Sequence, residues 1–432
     1  MNPDYIALIG FVSLFALILL RAPVGMAMGL VGVTGYATIV GATPALKMVG
    51  LTSMRTVTDY TFGVIPMFML MGAIVAQSGM SKELFGAANA MIGHWRGGLG
   101  LATIAACAGF AAISGSSVAT AATFASVAYP EMRRHHYPKS FSTGVIAAGG
   151  TLGAIFPPST VLAVYGLITQ QDIGRLFVAG ILPGVLAVAM YMATIAIMVR
   201  ARPQFLPISE RVTGRQRLAA LSKVWASLLL FVLVIGGLYD GVFTPTEAGG
   251  VGACGALIIS VVRGKLGLAG LLEALLRATR TASAVFTVLI GALLFGYFLT
   301  VTGVPQKVTG FLTGLGLSPL GVLLLIMLMY LVLGCLMDAM AMIILTVPIV
   351  FPAVTALGYD PIWFGIIIVM TVELGLIHPP LGMNVFVIKT AVEDVSFTTI
   401  FRGVAPFIVT DLLRLGVLIA IPEIALWLPS MM

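Results

Sequence analysis

Leu152-Gly-Ala-Ile-Phe-Pro-Pro158 recurs as Leu374-Gly-Leu-Ile-His-Pro-Pro380, 222 residues further on (374 minus 152). The same register, without a gap, pairs Pro130 with Pro352, Tyr137 with Tyr359, Asp172 with Asp394 and, far upstream, Pro23 with Pro245. A single matched proline means little. A seven-residue pattern with distant anchors in one register marks an internal duplication. The chain reads as two copies of one unit, at 1–200 and 224–432, joined by a segment at 201–223.

Around these motifs the chain is strongly apolar. Of its 432 residues, 59% are hydrophobic and 9% are charged, and mean hydropathy is +1.10. A soluble domain carries about 25% charged residues, so this chain cannot coat a water-facing surface, and a soluble enzyme is excluded. At about 20 apolar residues per crossing, its length fits roughly 10–12 helical spans. The predicted fold class is an all-α polytopic membrane protein. The net charge of +7 reads as loop residues obeying the positive-inside rule, not as a surface for nucleic acid. Cys107, Cys254 and Cys335 are scattered in apolar runs and suggest neither a disulfide framework nor a metal cluster. The first apolar stretch, Ile6 to Leu20, lacks a basic leading region and a convincing cleavage site, so it reads as a span rather than a signal peptide.

Charge also orients the copies. The joining segment holds Arg200, Arg202, Arg211, Arg215, Arg217 and Lys223 against Glu210, which predicts a cytoplasmic linker. Pro130 is followed by Arg133, Arg134 and Lys139, whereas the matching loop, Ala353 to Pro361, has no basic residue and contains Asp360. Matching loops thus differ in charge as if they lay on opposite faces. That is the mark of an inverted-topology repeat, which needs an odd number of crossings per copy. Spans near 5–20, 24–42, 61–78, 140–169 and 176–199, with partners near 224–239, 246–262, 281–301, 361–389 and 403–428, meet the condition and put both termini outside. Arg21, Arg263, Lys265, Arg277, Arg280 and Lys389 then fall on the cytoplasmic side; Lys47 and Arg55 do not.

Two apolar stretches with polar middles must not cross if the count is to stay odd. One covers 99–128 around Ile113-Ser-Gly-Ser-Ser-Val118, the other 317–352 around Gly334-Cys-Leu-Met-Asp338. Both are predicted to be re-entrant hairpins with tips near mid-membrane, where irregular backbone is tolerated only against protein or a cavity. Ser81 to Trp95 and Pro305 to Gly316, just before them, read as interfacial helices.

The Pro-Pro pairs Pro157–Pro158 and Pro379–Pro380 should break the long helices at 140–169 and 361–389. Proline removes an amide donor and clashes with the carbonyl four residues earlier, which frees carbonyls around Gly153–Ala154 and Gly375–Leu376. Freed carbonyls in hydrocarbon are costly, and discontinuous helices characteristically present them to cations. The first tip adds hydroxyls from Ser114, Ser116, Ser117 and Thr120. Intramembrane charges are rare and point to function, which singles out Asp338 at the second tip and Glu373 beside Gly375. Glu373 aligns with Thr151, so the half-sites are chemically unequal. His378, aligned with Phe156, fits a proton-sensitive group or a hydrogen-bonded structural one. Asp411 and Arg414 fit a local ion pair, and Glu247 a helix cap. There is no phosphate loop and no metal-ligand spacing.

Four motifs in order, Ile113-Ser-Gly-Ser-Ser-Val-Ala-Thr120, Leu152-Gly-Ala-Ile-Phe-Pro-Pro-Ser159, Phe243-Thr-Pro-Thr-Glu-Ala248 and His378-Pro-Pro-Leu-Gly-Met-Asn384, resemble the large membrane subunit of TRAP transporters, the DctM-like permeases. The resemblance covers essentially the whole chain. It implies a permease, not an enzyme, in the bacterial inner membrane. The implied partners are a small four-helix membrane subunit and a periplasmic binding protein that delivers an organic acid such as a C4-dicarboxylate or sialic acid. It implies uptake driven by sodium, with no other cofactor, through an elevator movement of hairpins and broken helices against a scaffold.

Carried over by residue, the family's ion- and substrate-binding regions fall on Ser114, Gly115, Ser116, Ser117 and Thr120 with Gly150, Thr151, Gly153, Pro157 and Pro158. The second set is Gly334, Met337 and Asp338 with Glu373, Gly375, Pro379, Pro380, Gly382 and Asn384. Ser116, Gly153, Asp338 and Gly375 are the expected sodium ligands. Substrate is expected between the tips, with no arginine there to clamp a carboxylate. The alternatives are an ion-coupled carrier that needs no binding protein, an intramembrane serine hydrolase using Ser116 and His378, and an ion channel.

Overall fold

The computed structural model describes residues 3–201, 212–334, 337–380 and 382–432. Residues 202–211 of the basic linker, Cys335 and Leu336 of the second tip, and Leu381 lie outside the described residues. The described residues are all-helical, without a strand.

The first half comprises α1 (Pro3–Leu19), α2 (Val24–Val40), α3 (Ala42–Thr58), α4 (Val64–Gln77), α5 (Met80–Ile92), α6 (Gly98–Ser114), α7 (Ser117–Arg134), α8 (Lys139–Thr151), α9 (Thr160–Thr169), α10 (Ile173–Ala179) and α11 (Ile181–Ala201). After α12 (Gly214–Leu221), the second half comprises α13 (Trp225–Phe231), α14 (Gly237–Tyr239), α15 (Pro245–Val262), α16 (Leu268–Thr302), α17 (Val304–Gly314), α18 (Pro319–Gly334), α19 (Ala339–Ala356), α20 (Pro361–Gly375), α21 (Met383–Ala391) and α22 (Phe397–Ala420).

The 222-residue register survives in three dimensions. α7 and α19 begin and end 222 residues apart, as do the starts of α8 and α20. Packing exchanges the mates: α7 lies on α21 while α19 lies on α9, and α2 lies on α16 while α4 lies on α15. The halves are interlocked rather than side by side.

Six helical segments are long and apolar enough to cross a membrane alone: Tyr60–Gln77, Ile173–Ala201, Pro245–Val262, α16, α19 and α22. Gly214–Leu221 with Trp225–Tyr239, bent by 42°, makes a seventh candidate. The other expected crossings are short or broken. α1 and α2 have 17 residues each, about 25 Å at 1.5 Å per residue. The Pro-Pro pairs divide α8 from α9 and α20 from α21. α19, expected as one arm of a hairpin, has by length alone enough to cross.

Two features depart from the expected tracing. α3 falls outside it, and this helix carries Lys47 and Arg55, the residues out of line with the charge rule. In the second half the mates of α3 and α4 fuse into α16, of 35 residues, about 52 Å long. The reason is local. Asp59-Tyr-Thr-Phe-Gly63 holds a capping aspartate whose Oδ1 accepts the Thr61 amide at 2.8 Å, and a glycine. Its counterpart, Thr281-Ala-Ser-Ala-Val285, is alanine-rich and continues the helix. Arg277 and Arg280, expected in a cytoplasmic loop, therefore sit within a helix.

α5 and α17, the expected interfacial helices, stand between glycines in the left-handed region: Gly79 (φ 76°) and Gly97 (φ 72°), Gly303 (φ 69°) and Gly316 (φ 66°). Glu83 of α5 pairs with Arg263 beyond α15 at 2.7 Å.

Candidate functional site

At the first tip α6 ends on Gly115, left-handed at φ 60°. Extended Ser116 then caps α7 by accepting the Ala119 amide at 3.3 Å. Thr120 donates to the Ser116 carbonyl at 2.8 Å and lies 3.2 Å from the Ser114 hydroxyl. The Gly115 carbonyl accepts both the hydroxyl (2.9 Å) and the amide (3.2 Å) of Thr160, which begins α9. A Cβ on Gly115 would lie 2.0 Å from the Pro158 oxygen, and one on Gly153 would lie 2.5 Å from the Ser116 oxygen. The tip is thus seated in the first helix break, and only glycine permits the approach.

At the second tip Asp338 caps α19, accepting the amides of Met340 (3.0 Å) and Ala341 (3.1 Å); Met337 before it is buried. Gly334 and Gly375 meet backbone to backbone. A Cβ on either would fall 2.8–2.9 Å from the other's Cα. Gly382, at φ 57°, restarts the chain into α21.

The breaks differ. Pro157 and Pro158 are buried, whereas Pro379 and Pro380 are exposed. Two of the carbonyls expected to be freed have protein donors: Ala154 accepts the Ser159 hydroxyl at 2.6 Å, and Leu376 accepts the Asn384 amide at 3.1 Å. The Gly375 carbonyl accepts the His378 amide at 3.3 Å, and the His378 ring lies 2.6 Å from the Pro379 carbonyl.

Between the breaks sits a buried polar cluster. Glu373, 1% exposed, faces the Ser117 hydroxyl, yet neither its oxygens nor that hydroxyl completes a hydrogen bond. Both polar atoms of the Asn384 side chain are likewise buried and unpartnered, close to Gly150, where an added Cβ would be 3.2 Å from Nδ2. Thr151, the mate of Glu373, bonds instead to the Ala148 carbonyl (2.7 Å) and the Tyr191 hydroxyl (2.9 Å). Tyr191 leads to Asp411, which pairs with Arg414 at 2.9 Å. Among the described residues Arg414 pairs with Asp411, and the Glu373 carboxyl has no ion-pair partner. A buried carboxylate without a partner is costly when ionised.

A cavity of about 430 Å³ brings the tips together. It is lined by Ser114 and Ser116 from one tip, Asp338 from the other, Thr160, and a face of α16 that carries Arg277. An arginine absent from the expected site residues, Arg277, lines the same cavity as the tips. Arg277 is the cation of the lining, and no ion pair among the described residues holds it. A signal for it exists: Arg277, Thr281, Val285 and Val288 follow helical spacing on one face. It can be read only once α16 is known to run unbroken through residue 277.

A cavity lined by both polar tips, the start of α9 and one guanidinium suits an anion. Residues 11–424 match the family model described as tripartite ATP-independent periplasmic transporter, DctM component. The chain belongs to that family. This DctM-type permease is 38% identical over 401 residues to the C4-dicarboxylate TRAP transporter large permease protein DctM of Pseudomonas aeruginosa, covering 92% of this chain and 93% of that one. It is 33% identical over 377 residues to the sialic acid TRAP transporter large permease protein SiaM of Vibrio cholerae, covering 87% of each. Among solved structures the permease resembles the Alcanivorax borkumensis YdaH transporter, with a TM-score of 0.59 over 89% of each chain at 15% identity. That likeness concerns the fold.

Proposed function

We propose that this TRAP large permease carries an organic acid into the cell by sodium symport, binding the acid in the cavity between the hairpin tips and moving it by an elevator displacement. The observation that carries the reading is the convergence of Ser116, Asp338 and Arg277 on one cavity, backed by the unpaired carboxylate of Glu373. Two relatives bear the names of different organic acids, a C4-dicarboxylate and sialic acid, so the class carries over and the particular acid does not. Arg277 would take a carboxylate as a fork of donors. Sodium ligands would come from Ser116, Gly153, Asp338 and Gly375, with Glu373 and Asn384 supplying the buried charge and amide. The glycine-bounded struts α5 and α17 are suited to join a moving core of α6–α9 and α18–α21 to a scaffold of α2, α4, α15 and α16.

On this reading the permease acts as a carrier rather than an enzyme. It works in the bacterial inner membrane with a small four-helix membrane subunit and a periplasmic binding protein. The test is uptake of a panel of labelled organic acids into proteoliposomes holding all three components, under an inward sodium gradient. Ser116→Ala and Asp338→Ala should each abolish sodium-dependent uptake while leaving expression intact. Unchanged sodium dependence in both variants would sink the ion-site assignment. Uptake by the permease alone would favour the carrier that needs no binding protein.

A further inference from the structure

The 222-residue register that relates the two halves also pairs Arg277 with Arg55 (277 minus 222). Arg55 lies in the last turn of α3, is exposed, and enters no ion pair among the described residues. Val57 and its own mate Thr279, each two residues beyond an arginine of the pair, line a common groove between α3–α4 and α16, so mated positions of the two halves meet there. In the observed arrangement Arg277 shares the cavity with Ser116 and Asp338, themselves mates 222 residues apart. Moving one inverted repeat against the other about the fixed midplane site generates the opposite-facing state, in which each residue's mate takes its place relative to the tips. Exchange sends Ser116 to Asp338 and Asp338 to Ser116, leaving the tip pair unchanged, and sends Arg277 to Arg55.

We propose that Arg55 is the outward-facing counterpart of Arg277. In this assignment each access route to the tips carries one guanidinium, Arg55 from the outer side and Arg277 from the inner side. A carboxylate is handed from one to the other as the core moves, and each state engages a single carboxylate. The bland reading of Arg55 is a cation complementing the C-terminal dipole of α3. That role requires no influence on the tips and predicts none.

The inference rests on the inverted-repeat reading, and its test separates the two. The three cysteines are replaced by serine in the full-length permease, Ser116→Cys is added, and the chain is placed in right-side-out and inside-out vesicles. The probes are two small thiol reagents, the anionic sulfonatoethyl and the cationic trimethylammonioethyl methanethiosulfonates. Their rate ratio reports the potential at the tip without requiring the natural substrate. For reagent added outside, Arg55→Gln should lower the anion-to-cation ratio by up to about 25-fold, about five-fold in opposite directions on the two reagents for a unit charge about 4 Å away in water, while Arg55→Lys preserves it. For reagent added inside, Arg277→Gln should do the same and Arg55→Gln should not. An outer ratio indifferent to Arg55→Gln, or a tip thiol in the Ser116→Cys chain that is never labelled from outside, overturns the assignment of Arg55. Both variants acting on reagent from the same side would overturn the inverted repeat itself.

Discussion

The hydroxyl of Tyr191 donates to Asp411 across 220 residues of sequence, 2.7 Å from Oδ1 and 2.9 Å from Oδ2. It joins the last long helix of the first half to that of the second. Asp411 and Arg414 are each 1% exposed, and the guanidinium lies 5.5 Å from the centre of the Tyr191 ring. Removing one member of such a buried pair leaves the other uncompensated, at a cost of about 3–5 kcal/mol, whereas replacing both with apolar residues is often neutral. Thermal unfolding in detergent should therefore place Arg414→Leu well below the wild type and recover much of the loss in Asp411→Leu/Arg414→Leu. Tyr191→Phe should cost about 1–3 kcal/mol, the penalty of unsatisfied buried groups. A double variant less stable than Arg414→Leu alone would count against this account.

The seat of the first tip makes a steric prediction. Gly115→Ala places a methyl against the Pro158 oxygen and demands a left-handed alanine, so it should destabilise strongly and abolish transport. Gly316→Ala, at φ 66° with nothing within 4 Å of the new Cβ, carries only the conformational penalty of about 1–2 kcal/mol. Comparing folded yield and uptake for the two variants separates contact from backbone preference. Equal effects would mean that the tip is not tightly seated.

Glu373→Gln keeps the shape and removes the charge. A buried carboxylate without a hydrogen bond is expensive, so the variant should be as stable as the wild type, or more stable, in sodium-free buffer. It should also lose the stabilisation that sodium confers over potassium. A melting temperature that still rises with sodium would remove Glu373 from the cation site.

Asp338 has two roles that two substitutions can divide. Asparagine is as good an N-cap as aspartate, whereas alanine costs about 1 kcal/mol. Asp338→Asn should keep the melting temperature of the wild type and lose sodium-dependent uptake; Asp338→Ala should lose both. Full sodium dependence in Asp338→Asn would reduce Asp338 to a cap.

At the surface, Lys139 lies 2.7 Å from Asp394, which also accepts the Tyr129 hydroxyl at 2.9 Å. The Lys139 hydrogen bond outweighs partial desolvation, which acts the other way, and holds the Asp394 carboxyl below the usual carboxylate range. A depressed acid contributes stability above its unfolded value, near 3.9, and loses that contribution as pH falls through the lower folded one. The small difference in melting temperature between wild type and Asp394→Asn should stay constant from pH 8 to about 5 and vanish in stronger acid. A difference that changes between pH 6 and 8 would point to another titrating group.

Several features are legible because they are local in the chain. Double proline after glycine breaks a helix wherever it stands, and the breaks fall where the motifs put them. Thr244 and Glu247 form the expected cap, with the Glu247 carboxylate accepting the Thr244 amide at 2.9 Å. Asp411 and Arg414 pair at the predicted spacing. Other features stay hidden because they depend on direction around a helix axis or on partners far along the chain. Arg277 reads as a loop residue since charges usually end spans; its place in the cavity depends on α16 running on past it. Thr151 and Tyr191 give no sign of reaching Asp411, because a hydroxyl in an apolar run looks the same with or without a distant acceptor.

By itself the amino-acid order determined the class of solvent, the duplication and the points where helices must stop, since hydropathy, repeat register and proline chemistry act over a few neighbouring residues. Only the packed molecule decided which polar groups meet. A cavity is the space left between helices distant in sequence, and the groups that line it depend on how those helices rotate and cross.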